Sequence, residues 1–390
     1  MNPKRWTLFL LLGLVVSGQA GSAQTYTFST LYSFPGTAGS PQGPASPIID
    51  SSGNVYGTSL GGKYGFGTVF KVTPKGVMSV IHDFGGTASD GKDPVTIIRN
   101  STGTIFGITS FGGANNQGNI FKLAPNGTET ILYNFTTEND LPLSLLLDST
   151  GDLYGYYEDG SNNLTIGSVF KFTHAGVFSH IYTFCSLSNC ADGSVPWGPL
   201  ILKGGNLYGA TEYGGVQAPN DLGLGVVFEL TPGGEETVLH AFTGPPNDGD
   251  FPLAKVTQDS AGNLYGTTEY GGAQDLGTIY KIDTSGVESI LYNFCSLPNC
   301  ADGELPIAPV VVDAEGNLFG TTWHGGPSND GGTVYRLSPA GVLTVLHDAV
   351  SGKAGVGNKL VMSVSGSLYG VTYYGGTNHT GAIYKLTKHP

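Results

Sequence analysis

Asn263-Leu264-Tyr265-Gly266-Thr267-Thr268-Glu269-Tyr270-Gly271-Gly272 is the stretch that decides the fold, because variants of it run through almost the whole chain. Its aromatic–glycine pair returns at Tyr56-Gly57, Phe106-Gly107, Tyr154-Gly155, Tyr208-Gly209, Tyr265-Gly266, Phe319-Gly320 and Tyr369-Gly370. Successive copies are 50, 48, 54, 57, 54 and 50 residues apart. A period near fifty is the mark of a repeat architecture, in which each copy is one unit too small to bury its own apolar face.

Around this stretch each copy divides into four strand-like pieces. In the fifth copy they are Pro252–Gln258, Asn263–Thr268, Gly277–Ile282 and Val287–Phe294, parted by the turns Asp259-Ser260-Ala261-Gly262 and Thr284-Ser285-Gly286 and by a Gly-rich loop. Short β-rich runs bounded by Gly, Asp and Pro are the strand signal. The third piece recurs as Val69-Phe70-Lys71, Val227-Phe228-Glu229 or Ile383-Tyr384-Lys385, and the fourth as Leu31-Tyr32-Ser33-Phe34, Ile81-His82-Asp83-Phe84 or Leu291-Tyr292-Asn293-Phe294. The chain starts on a fourth piece, Tyr26–Phe34, and stops on a third, Ala382–Thr387. Those permuted ends predict a ring whose last sheet is completed by the first strand, which leaves no open edge. The expected fold is all-β: a single seven-bladed β-propeller of four-stranded blades occupying residues 24–390. An open β-solenoid gives no reason for the permuted ends. Strand parity puts the longer second-to-third and fourth-to-first connections on one face, where function is usually carried.

Composition agrees. The chain has 390 residues with 62 glycines and 12% charged residues, which suits many turns and few helices. The net charge of −13 argues against nucleic acid or an anionic membrane as partner. Lys4 and Arg5 precede a largely apolar run that ends in the small residues Gly21-Ser22-Ala23. This reads as a secretory signal peptide over residues 1–23, cleaved after Ala23 or Ala20. No later segment reads as a membrane span. A secreted or periplasmic monomer is expected.

Leu31-Tyr32-Ser33-Phe34, Asn263-Leu264-Tyr265-Gly266-Thr267-Thr268, Tyr270-Gly271-Gly272 and Gly67-Thr68-Val69-Phe70-Lys71-Val72-Thr73-Pro74 resemble the Gloeo/Verruco-type tandem repeat family over residues 26–387. The resemblance implies a secreted bacterial protein, and it implies no catalytic residues. Members carry varied C-terminal anchors, whereas this sequence ends at Lys388-His389-Pro390, which favours a soluble secreted form.

Cys185 and Cys190 form one like-placed pair and Cys295 and Cys300 another. In an exported chain they read as two short-range disulfides; one four-thiolate metal site would need pairs two copies apart to converge. The loop after the second strand offers Phe111, Glu158, Glu212, Tyr213, Glu269, Tyr270, Trp323, His324, Tyr373 and Tyr374. Aromatics beside carboxylates can stack on and hydrogen-bond sugar rings; the competing reading wedges the aromatics between blades and leaves the acids in solvent. Glu212, Tyr213, Glu269, Tyr270, Trp323, His324 and Tyr374 are the ligand-binding candidates. Asp90-Gly91, Asp192-Gly193, Asp248-Gly249-Asp250 and Asp302-Gly303 each precede a proline. Turn chemistry explains them more simply than calcium does. His82, His240 and His347 occupy the tyrosine position of the fourth strand and read as structural substitutes. No nucleophile elbow, phosphate loop or zinc-protease motif is present, and no cofactor, metal or catalytic residue is expected. The function this favours is an extracellular binding module for glycan or protein. The alternative is a polysaccharide hydrolase or lyase acting on the long-loop face through Glu158, Glu212 and Glu269.

Overall fold

Seven antiparallel blades, each four strands across with the first strand of blades 3, 4 and 5 split in two, close into a ring in the computed structural model, which describes residues 24–136, 140–159, 166–216, 223–328, 330–350 and 359–389. The expected leader, residues 1–23, lies outside the described residues. Blades 1 to 6 fall in chain order over residues 41–83, 91–134, 140–183, 194–241, 249–293 and 311–350. Blade 7 joins Val361–Met362, Leu368–Thr372 and Ala382–His389 to the N-terminal strand Thr25–Ser33. The closing pair is antiparallel, with Thr25 opposite His389 and Ser33 opposite Ala382. The permuted ends therefore do what the sequence predicts.

The aromatic–glycine motif is explained by the strand beside it. Gly57 pairs with Phe70 of the third strand, and the tip of the Phe70 ring lies over the bare glycine. A Cβ at Gly57 would sit 2.6 Å from Phe70 Cζ, and one at Gly209 2.6 Å from Phe228 Cζ. Gly266, Gly320 and Gly370 receive Tyr280, Tyr335 and Tyr384 in the same way. Any larger residue would lift the ring from its seat.

The same ring then meets the last aromatic of the preceding blade. Phe34–Phe70, Phe84–Phe121, Phe184–Phe228, Phe242–Tyr280 and Phe294–Tyr335 have centroids 4.8–5.2 Å apart, and Phe135–Phe170 6.0 Å. At the sixth seam Ala349 replaces the phenylalanine, and Phe28 of the closing strand stacks 5.4 Å from Tyr384 instead. The core is thus divided into seam clusters, one for each pair of neighbouring blades. Edge-to-face aromatic pairs contribute about 0.5–1.5 kcal/mol each beyond their area.

The fourth strand carries a feature the sequence did not disclose. Its pairing with the third strand skips one residue at the same place in every blade: Val69 faces His82 while Phe70 faces Val80, and Ile279 faces Tyr292 while Tyr280 faces Ile290. The skipped residue is the Leu or Ile of Leu-Tyr-x-Phe. A bulge re-aims side chains and twists an outer strand away from edge pairing. Here it turns Leu31, Ile81, Leu132, Ile181, Leu239, Leu291 and Leu346 against the seam clusters.

The first strand of blade 5 is shorter in its ladder than Pro252–Gln258. Only Thr257–Gln258 pairs, with Tyr265 and Leu264, and Gly249–Asp250 pairs separately with Gly271 and Tyr270. Phe251 lies between them at φ 54°, and Pro252 has no N–H to give.

Candidate functional site

The acidic Asp-Gly-x-x-Pro segments are seam stitches. Asp90, Asp192, Asp248 and Asp302 are buried. Asp90 accepts the Gly85 and Gly86 N–H groups; Asp192 accepts those of Ser186 and Leu187, and Asp302 those of Ser296 and Leu297. Three residues on, Asp93, Val195, Phe251 and Leu305 all take a left-handed conformation, φ 54–57°. Asp93 donates its N–H to Phe66, Phe251 to Leu224 and Leu305 to Leu276, each across the seam. Asp250 is different. Its Oδ1 is buried without a hydrogen bond, and burial, with Asp275 next, pushes its pKa up to about 6.

The tyrosine position of the fourth strand serves these aspartates. Tyr182 donates to Asp192 and Tyr292 to Asp302, both at 2.8 Å. His240 reaches Asp248 at 3.1 Å, so histidine substitutes for tyrosine as the sequence predicts. His347 instead stacks on Phe28 at 3.6 Å.

The two disulfides pair as expected, Cys185 with Cys190 and Cys295 with Cys300. Each closes over the segment whose N–H groups bind the buried Asp192 or Asp302, which ties the fourth-to-first loop to the blade.

A buried threonine positions the candidate residues on the second-strand loops. Thr211 donates to the Tyr213 carbonyl, Thr268 to that of Tyr270 and Thr322 to that of His324. The same hydroxyls accept the N–H of Val226, Thr278 and Thr333 on the third strand. The clamp places Glu212, Glu269 and Trp323 at one equivalent position and Tyr213, Tyr270 and His324 at the next.

Glu212, Tyr213, Glu269 and Tyr270 come together in blades 4 and 5. Phe251 sits between the two tyrosines, 5.3 Å from Tyr213 and 6.0 Å from Tyr270, edge-on to both. The Glu269 N–H bonds to the Phe251 carbonyl. Burial raises the pKa values of Glu158, Glu212 and Glu269, and the Glu212 charge adds to it at both Glu158 and Glu269. Burial and a hydrogen bond with Glu212 push Tyr213 up to about 12. The three glutamates, with Asp250, therefore share one field beside an aromatic row.

Trp323 is 49% exposed and stacks on His324. Its N–H bonds to the Leu305 carbonyl, the counterpart in blade 6 of the Glu269–Phe251 bond. Tyr374, 67% exposed, packs on Tyr373 and borders a cavity of about 190 Å³ with Gln42, Leu60 and His379. It belongs to the seam of blades 7 and 1. Phe111 and Tyr373 are also exposed. Tyr213 packs against Phe251 and Tyr373 against Gly43, each on the next blade, while the buried seam contacts are made by the third- and fourth-strand rings.

Phe251 was missed by sequence reasoning. Its signal is a departure from the repeat: the same place before the proline holds Asp93, Val195 and Leu305 elsewhere. Among the described residues, no helix is long and apolar enough to cross a membrane.

The ring of four-stranded blades defines the chain as a β-propeller with an aromatic and acidic patch on its long-loop face. The chain belongs to the Gloeobacter/Verrucomicrobia repeat family, which matches residues 20–166, 137–300 and 216–390. No match was found among curated protein sequences. Among solved structures the chain is similar to the polysaccharide lyase Uly1, with a TM-score of 0.54 at 11% identity over 90% of this chain and 91% of that one. It is also similar to a puromycin hydrolase, with a TM-score of 0.54 at 12% identity over 86% of this chain and 53% of that one. At such identities the likeness shows the fold alone.

Proposed function

We propose that the protein is an extracellular carbohydrate-binding module whose site is the long-loop face of blades 4 and 5. The observation that carries this reading is the row Tyr213–Phe251–Tyr270 flanked by Glu212, Asp250 and Glu269. Ring faces and edges offer apolar area to the C–H groups of a sugar, and tyrosine adds a polar handle. Carboxylates accept hydroxyl hydrogen bonds. The buried threonine clamps hold both residue types on rigid strand ends, so little ordering is needed on binding. The leader-like N-terminus and the paired cysteines support export. Trp323 on the next blade extends the strip to a longer oligosaccharide.

A second reading rests on the same carboxylates. Asp250, raised to about 6, suits a general acid, and Glu212 and Glu269 on neighbouring blades suit its partner in glycoside cleavage. The lyase of similar fold lends this reading a scaffold and no residues. A glycan array, followed by incubation with each bound polysaccharide, separates the two. Binding without product supports the module. New reducing or unsaturated ends establish the enzyme in its place. No binding to any glycan removes both.

A further inference from the structure

The seams between fourth strands hold a second set of polar groups. In blades 2, 4 and 5 that strand opens with a glutamate: Glu129, Glu236 and Glu288. Each lies at the seam with the preceding blade, near that blade's histidine or tyrosine and its buried aspartate. Glu129 meets His82 and Asp90, and Glu288 meets His240 and Asp248. Glu236 feels the charge of Asp192, the partner of Tyr182.

Residue identities at these seams differ around the ring. The histidines with an aspartate beside them, His82 and His240, also face a glutamate from the next blade. His347 faces Phe28 and stacks on it. Tyr133 faces Phe178 and stacks on it at 4.3 Å. Glu236, by contrast, lies beside Asp192 and its tyrosine partner Tyr182, so the histidine and not the glutamate sets the two seams apart.

At the seam of blades 1 and 2, His82 Nε2 lies 3.5 Å from Asp90 Oδ1 and 3.8 Å from Glu129 Oε1. All three atoms are buried, and none makes a hydrogen bond. Asp90 is 4% exposed, and its other oxygen is fully engaged by Gly85 and Gly86, which aims Oδ1 at the gap. At the other seam His240 Nε2 is hydrogen-bonded to Asp248 Oδ2 at 3.1 Å, an oxygen that also accepts the Thr243 N–H and hydroxyl, and only Glu288 Oε1 is buried without a hydrogen bond. In both copies the ligand atoms lie within 4.8 Å of one another. Phe84 and Phe242 pack edge-on against the two imidazoles at 4.7 Å and fix their orientation.

At the first seam three buried ligand atoms face one another beyond hydrogen-bond distance, a gap a divalent cation would fill; at the second the His240–Asp248 hydrogen bond would open to admit the ion. Zinc with nitrogen and oxygen ligands at 2.0–2.2 Å has tetrahedral edges of roughly 3.3–3.6 Å, close to the separations at His82. One imidazole and two carboxylates suit zinc or a neighbouring divalent transition ion better than calcium, which takes oxygen ligands only. We propose that His82–Asp90–Glu129 and His240–Asp248–Glu288 are two like-placed divalent transition-metal sites, each stapling one blade to the next, with water completing the coordination. The sequence hid them because the third ligand comes from the following repeat.

The ring supplies its own control. Tyr182 and Tyr292 fill the histidine position in well-packed blades, so His82→Tyr and His240→Tyr are compatible with the fold. The test is zinc binding to the tag-free, chelator-stripped mature chain at neutral pH, by equilibrium dialysis with elemental analysis and by calorimetry. Expected are two zinc ions per chain for the wild type, one for either single variant and none for the double variant. Zinc should raise the Tm of the wild type and leave that of the double variant unchanged. Glu129→Gln, nearly isosteric, should weaken one of the two sites at least tenfold with an unaltered circular dichroism spectrum. That variant carries the test if a tyrosine variant fails to fold. Zinc retained by the folded double variant, full affinity in Glu129→Gln, or no zinc bound by the wild type would each overturn the proposal.

Discussion

Tyr280, Tyr335 and Tyr384 each bury a hydroxyl with no hydrogen-bond partner, and the corresponding rings of blades 1 to 4 are the phenylalanines Phe70, Phe121, Phe170 and Phe228. An unpaired buried hydroxyl is a cost the fold tolerates. Tyr280→Phe and Tyr335→Phe should leave stability unchanged or raise it by up to about 1 kcal/mol, read as a chemical-denaturation midpoint shifted upward. A loss of stability would mean the hydroxyls have partners. Glu236 offers a pH test. Burial and the Asp192 charge push its carboxyl up to about 7 from the ordinary 4.5. The folded state therefore holds the proton more tightly, and stability should fall as pH rises from about 4.5 through 7. Glu236→Gln should remove this slope, gaining about 1 kcal/mol at pH 8, after allowance for solvent at a half-exposed site, and nothing at pH 4. Melting curves at the two pH values decide it. At this scale the sequence disclosed the glycine and the aromatic of the motif but not that one lies on the other. The contact joins two strands and has no spacing of its own. Phe251 escaped because a single aromatic before a proline carries no periodicity.

Strands were legible wherever side-chain chemistry repeats, and least so where backbone geometry decides. The second, third and fourth strands stand close to their expected bounds. The first strand of blade 5 does not, since Phe251 and Pro252 interrupt a ladder that apolar content alone suggests. The bulge in each fourth strand was likewise invisible, because Leu-Tyr-x-Phe alternates no differently with or without a skipped partner. The closing strand was legible from connectivity alone. Its importance can be tested by deleting residues 24–34 from the mature chain. This removes Phe34, fully buried, and bares the edge of Ala382–His389. Loss of the buried phenylalanine alone should cost about 3–5 kcal/mol, so the Tm should drop by roughly 5 °C or more and aggregation should rise. A synthetic peptide of residues 24–34 should restore part of the loss. A truncated chain that melts like the full one would deny closure.

Over the whole molecule, seven nearly equivalent blades make a rigid ring, and the copies that depart from the repeat mark where it is specialised. Glu212 and Glu269 share their position with Glu158, Phe251 stands where Asp93, Val195 and Leu305 stand elsewhere, and Glu212, Glu269 and Phe251 gather in two adjacent blades. The sequence proposed the first two from their recurrence on one loop. It did not show that Tyr374 would fall at another seam, since loop position says nothing of which blades adjoin at a ligand. The most direct measurement is calorimetric titration of the polysaccharide that the array selects against the wild type, Tyr270→Ala, Tyr213→Ala and the double variant Glu212→Gln/Glu269→Gln. The tyrosine variants should each lose at least 2 kcal/mol, about 30-fold in Kd. The glutamine pair should stay within about threefold, because an amide still bonds sugar hydroxyls, a change under 1 kcal/mol. Wild-type affinity in Tyr270→Ala and Tyr213→Ala would contradict the assignment of the binding face to blades 4 and 5.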